Sequence, residues 1–136
     1  MNKKDAQIAY LLIRLTMGLN FFMHGVVRIF GHLDKFREKT VTDFQETWLP
    51  QPLVDVFATI LPFFEGTIGL LLLLGLFTRQ AIMAGAVVMM VLIFGTSLRQ
   101  DWALVGSQIV YSLFFYFLMR YAADNAWSLD SRRKIA

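Results

Sequence analysis

The sequence contains no cysteine. It therefore cannot carry thiol–disulfide exchange or hold an iron–sulfur cluster through thiolates, and cysteine usage says nothing about compartment. Charge is scarce as well. Asp, Glu, Lys and Arg make up 17% of the 136 residues, against about 25% in an ordinary soluble domain. That shortage excludes a disordered chain or a coiled coil. Histidine is limited to His24 and His32. Two histidines so close together do not grip a haem from both sides of a bundle, and there is no HExxH or paired Glu-x-x-His, so no metal or haem is expected. No glycine-rich phosphate loop is present, which argues against a nucleotide site. No Ser-His-Asp pattern stands out. A net charge of +3, with the basic residues placed between apolar runs, argues against nucleic acid as a partner.

What is abundant is hydrophobic sequence, 57% of residues, with a mean hydropathy of +0.54. The length allows one domain. Four apolar runs stand out, Ala6–Phe30, Leu53–Phe77, Ala81–Leu98 and Trp102–Tyr121. At about 1.5 Å per residue each is long enough to cross a bilayer core, the third only just. Lys3 and Lys4 precede the first run as in a signal peptide, but the run is too long for one and no small-residue cleavage site follows. Thr78-Arg79-Gln80 and Arg99-Gln100-Asp101 are the short links between later runs. Such links force antiparallel neighbours, so the expected fold is all-α: an integral membrane four-helix up-down bundle. The long connection, 31–52, begins with charged residues and ends at Trp48-Leu49-Pro50-Gln51-Pro52. It reads as a short amphipathic helix, an interfacial tryptophan, and two prolines that break the chain before the second span. Residues 122–136 form a polar tail.

Orientation follows from the basic residues. The side of the termini carries Lys3, Lys4, Arg79, Arg120, Arg132, Arg133 and Lys134, seven in all. The other side carries Arg28, Lys35, Arg37, Lys39 and Arg99, five in all. This majority places both termini in the cytoplasm. Gly66, Gly69, and the pair Ala81 and Gly85, are small residues that let helices approach closely.

Thr16, Asn20, His24 and Arg28 recur every four residues and form one polar stripe on the first helix. Lipid cannot satisfy such groups, so the stripe faces the bundle interior, a cavity or the interface. Glu65 lies near the middle of the second span and must be neutral, paired or hydrated there. Counting rise per residue from the membrane edge puts it roughly level with Asn20 and within side-chain reach of His24. Pro62, one turn earlier, frees a backbone carbonyl and favours a kink. Gln108, Tyr111, Ser112 and Phe115 share one face of the fourth helix. The candidate site is therefore Asn20, His24, Arg28, Glu65 and Tyr111, with His24 and Glu65 as proton-handling groups. Each has a structural alternative: Arg28 snorkelling to the interface, Asn20 bridging helices, His24 and Tyr111 packing in the core, Glu65 in a structural ion pair. Arg14 is expected to clasp Asp130 of the tail.

The stretch from Arg14 through Gly18, His24-Gly25 and Arg28 resembles the first-helix motif of the DoxX family, which usually has Lys at the last position. Phe64-Glu65-Gly66-Thr67-Ile68-Gly69-Leu70, leading to Leu74-Gly75-Leu76-Phe77-Thr78-Arg79, is similar to that family's Glu- and Gly-containing signature, and Ser128-Leu129-Asp130 to its close. The resemblance implies a four-helix inner-membrane protein. It also implies a subunit of a membrane redox or oxidative-stress complex, with a soluble or membrane redox partner protein. It guides architecture better than reaction. The expected activity is binding of a quinone or quinol headgroup. His24 and Glu65 would handle protons, Arg28 or Tyr111 would hold the second carbonyl, and Phe21, Phe22, Phe63 and Phe64 would flank the ring. Electrons would come from the partner. The alternatives are a non-catalytic membrane anchor for a soluble enzyme and, more remotely, a small-solute permease, for which a homo-oligomer would be needed.

Overall fold

A computed structural model describes residues 2–133; Lys134, one of the basic residues used for orientation, lies outside them. The described residues are mostly helical, without a strand. Helix α1 runs Lys3–Val27, and Asn2 caps its first turn by accepting from Asp5 N. A π-helical turn, Arg28–His32, follows without a break, and α2 covers Leu33–Asp43. Most of the expected 31–52 loop is thus helix. The connection narrows to Phe44–Pro50, where Pro50 caps α3, Gln51–Leu74, and Pro52 occupies its first turn. α4 is Thr78–Leu98 and α5 is Trp102–Arg120, the latter capped by Asp101 accepting from Leu104 N at 3.1 Å. A 3-10 turn at Ala122–Asp124 and a short α6, Leu129–Arg133, complete the described chain. α3 continues through Pro62.

Four helices, those beginning at Lys3, Gln51, Thr78 and Trp102, are long and apolar enough to cross a membrane. Their outward faces carry Phe63, Phe64, Val87, Met90 and Leu113, each close to half exposed or more. Apolar exposure on this scale suits lipid and not water. The inward core is built from Met17, Phe21, Ile68, Leu72, Ile82, Phe115 and Leu118.

The α1–α3 seam is a backbone-to-backbone contact made possible by glycine. A Cβ on Gly25 would fall on the backbone of Gly66 and the Pro62 carbonyl, and one on Gly69 would fall on the backbone of Phe22. Gly18 meets Leu73 in the same antiparallel register. On the other side of the bundle, the ring of Phe115 from α5 fills the space left by Gly85 on α4. α3 ends at Gly75, whose left-handed backbone (φ 62°) closes the helix with Leu76 N donating to Leu71 O.

The tail is locked onto this turn. Asp130 N donates to Gly75 O at 2.9 Å, and the Asp130 carboxylate accepts from Phe77 N and Thr78 N at 2.9 and 2.8 Å, capping α4. Arg14 is 2% exposed and donates to Asn125 Oδ1 and, at 2.8 Å, to Trp127 O. The expected clasp therefore exists, but Arg14 makes it through Asn125 and a carbonyl. The Asp130 carboxylate is engaged by backbone N–H groups that a helix start would otherwise leave unpaired.

Candidate functional site

The polar stripe of α1 and the acid of α3 meet because the glycine seam sets the register. With Gly25 against Gly66 and Phe22 against Gly69, Glu65 lies opposite Val26. That is more than a turn nearer the π-turn end than its expected level beside Asn20. The estimate from membrane edges assumed matched helix starts, whereas backbone contact decides the level. From there Glu65 is out of step with Asn20 but reaches Arg28, whose guanidinium donates to its Oε2. The Glu65 side chain is 6% exposed and that of Arg28 25%. Arg28 does not snorkel away; it turns inward as an ion-pair partner. Its guanidinium also lies over the Phe36 ring of α2, 4.2 Å from the centroid.

Beside this pair is a cavity of about 390 Å³. All five expected residues line it: Asn20, His24 and Arg28 from the first helix and its π turn, Glu65 from α3, Tyr111 from α5. Asn20 and His24 make no side-chain hydrogen bond among the described residues. Of the four phenylalanines expected to flank a ligand, only Phe21 lines the cavity. Phe63 and Phe64 are 49% and 54% exposed on the outer face of α3. Adjacent helical positions differ by about 100°, so once Glu65 points inward its two predecessors point out. Their place is taken by Phe36 of α2, Phe44 at its C-cap and Phe57 of α3.

Three features of the site are not apparent from the α1 stripe alone. Gln108 and Thr96 are both buried and joined by a 3.0 Å hydrogen bond from Gln108 Nε2 to Thr96 Oγ1 across α4 and α5, while Gln108 Oε1 has no partner. Gln108 shares the Tyr111 face, which is the one sequence signal for it. Arg99 pairs with Asp43 at 3.2 Å and sits 5.4 Å from the Phe44 ring centroid. Arg37 Nε donates to Asp55 Oδ1 at 2.9 Å, tying α2 to the first turn of α3. No sequence pattern pairs these charges, because their proximity depends on how α2 folds back.

The sequence model of the DoxX family matches residues 9–97. The chain belongs to the DoxX family. The match spans α1 to nearly the end of α4, so it includes the π turn, the Arg28–Glu65 pair and the glycine seam. The DoxX match stops short of α5, which supplies Gln108 and Tyr111 to the cavity. No curated protein and no solved structure matches this chain.

Proposed function

We propose that this DoxX-family membrane protein binds a quinone or quinol headgroup in the cavity, as a subunit of an inner-membrane redox or oxidative-stress complex with both termini cytoplasmic. One observation carries the reading: a cavity between membrane-spanning helices gathers two hydrogen-bonding side chains without partners, Asn20 and His24, beside the Arg28–Glu65 pair and under aromatic rings. Cofactor sites of this kind are mostly apolar with a few convergent polar groups. A quinone has two carbonyls to anchor, and its reduction takes up two electrons and two protons. His24 and Asn20 can donate to one carbonyl, and Tyr111 from the opposite wall to the other. His24 and Glu65 can pass the protons, while a partner protein supplies or removes electrons. Arg28, by its bond to Glu65, fixes that side chain at the cavity wall.

The rival reading is a non-catalytic anchor for a soluble enzyme. It draws on the same ion pair, which is satisfied internally and would serve folding alone. The two readings separate when purified protein in mild detergent is titrated with quinone and quinol while its melting temperature is followed. On the binding reading His24→Gln melts as the wild type does, Glu65→Gln folds with a lowered melting temperature, and both bind about tenfold more weakly, the value of one hydrogen bond to a charged or polar anchor. Unchanged binding in both variants, or a wild-type protein that binds neither form and copurifies with a soluble enzyme, favours the anchor.

A further inference from the structure

The walls of the cavity are unequal. At the end where α2 lies, the cavity is roofed. Phe36 and Thr40 of α2 and Phe44 at its C-cap, spaced by four, line it from above. That roof is pinned from three sides: to α3 by Arg37–Asp55, to α4 by Asp43–Arg99, and to the π turn by Arg28 over Phe36. The lateral seams also differ. α1 and α3 touch through glycine backbones, and α4 and α5 are joined by Gln108–Thr96 and by Phe115 seated on Gly85. On α4, Phe44 packs against Gly95 and Trp48 against Phe94 at the roof, while Val91 lines the cavity at 44% exposure and marks the rival opening.

The α1–α5 seam has no such closure. Among the described residues no hydrogen bond or ion pair links these two helices. At the cavity they meet through Phe21, edge-on to Phe115 with centroids 5.2 Å apart, and the rest of the seam packs through the apolar core. On the roof side of that contact, the residues bordering the cavity are Asn20 and His24 on α1 and Leu104, Ser107 and Tyr111 on α5. His24, Leu104 and Ser107 line the cavity and yet are exposed, which places them at a rim. Val27, one turn from His24, and Leu104, one turn from Ser107, are 47% and 41% exposed, so the rim is flanked by apolar surface. Both helices are membrane spans. With α1 and α5 as spans, this rim opens toward the bilayer.

We infer that the α1–α5 seam is a lateral portal, and that the occupant of the cavity is a membrane-dissolved amphiphile: a polar headgroup enters from the bilayer while its apolar chain stays in the seam. The inference rests on the cavity being a ligand site and narrows the ligand to a lipid-borne class. A tail needs somewhere to remain after the headgroup docks, and a chain left among Val27, Leu104 and lipid stays in an apolar environment without crossing the charged roof.

The test compares access routes in proteoliposomes. Ser107→Trp fills the portal; its side chain bonds only within its own helix, to Leu104 O. Val91→Trp adds equal bulk at the rival opening on α4. A third variant, Arg37→Cys with Asp55→Cys bridged by a bismaleimide, fastens the roof shut, and the chain has no native cysteine to interfere. Melting temperature confirms that each is folded. Long-tailed quinol should associate about tenfold more slowly with Ser107→Trp, an on-rate effect, and at the wild-type rate with Val91→Trp and the bridged roof. Slowing by the bridge, or by Val91→Trp in place of Ser107→Trp, overturns the portal. A wild-type protein that binds no quinone or quinol refutes the headgroup reading, and the portal is then read directly. A fluorophore at Thr40→Cys, on the cavity side of α2, should be quenched by chain-brominated phospholipid and not by aqueous iodide. Quenching by iodide alone overturns the inference.

Discussion

Arg28 binds in two directions, to the Glu65 carboxylate in the cavity and to the face of Phe36 on the roof. Removing it leaves a carboxylate that is almost fully buried without its countercharge. Arg28→Met should therefore lower stability by about 3–5 kcal/mol, whereas Arg28→Met combined with Glu65→Leu should recover most of that loss, since packing replaces a buried pair well. Unfolding in mild detergent reads both; a double variant no better than the single one would assign the loss to the Phe36 contact. Arg14 has a different task. Its two acceptors, Asn125 and the Trp127 carbonyl, are tail groups, so Arg14→Ala should loosen the tail and lower stability by about 2–4 kcal/mol, from bonds to a charged donor. Ligand affinity per folded molecule should not change, and a stable variant that fails to bind would place Arg14 in the site. Polar residues in apolar runs are conspicuous, which is why Glu65, His24 and Asn20 are legible from sequence. Their partners are not, because a partner is chosen by register and by how the tail turns.

Among the elements, the glycines separate into two kinds that sequence alone does not distinguish. Gly69 is pressed on the backbone of Phe22, which cannot yield as a side-chain tip can, while Gly106 on α5 has nothing within 4 Å of where a Cβ would stand. Gly69→Ala should push α1 from α3, cost about 1–3 kcal/mol and disturb the Arg28–Glu65 pair that this seam sets level. Gly106→Ala should do the reverse, stabilising by up to about 1 kcal/mol through helix propensity. Thermal unfolding of the two variants decides; equal effects would mean that the seam tolerates separation. The π turn is the other element that the sequence does not announce. It carries Arg28 as its first residue and continues α1 directly into α2, so what composition reads as a loop is a roof. π turns recur at functional sites because they re-aim side chains by widening one turn.

At the scale of the whole molecule, the two ends of the bundle are chemically distinct. One has the locked tail, the other the roof. The excess of Lys and Arg at the tail end is the basis for placing it in the cytoplasm. Asp5 and Glu46 are exposed at opposite ends, and the absence of native cysteine makes single-cysteine labelling clean. A membrane-impermeant maleimide applied to intact cells should label Glu46→Cys and leave Asp5→Cys untouched until the cells are opened. The opposite pattern would invert the topology and turn the roof toward the cytoplasm.

The sequence by itself determined the class of this protein. Four apolar runs, scarce charge and short polar links admit few folds other than a membrane bundle, because unsatisfied backbone is too costly in lipid for anything but helices or a closed barrel. It also marked the stripe Asn20–His24–Arg28 and the acid Glu65 as residues that lipid cannot accommodate. Tertiary structure decided the rest. Which of the stripe meets Glu65 was set by glycine backbones in contact at Gly25 and Gly66, an interaction whose level no hydropathy profile contains. Phe36, Phe44 and Phe57 stand where Phe63 and Phe64 were expected because a helix that turns one side chain inward turns its neighbours out. The proposed opening at α1 and α5 lies where no hydrogen bond or ion pair joins those two helices among the described residues, and long-range pairing of that kind is a property of packed helices, not of any one of them.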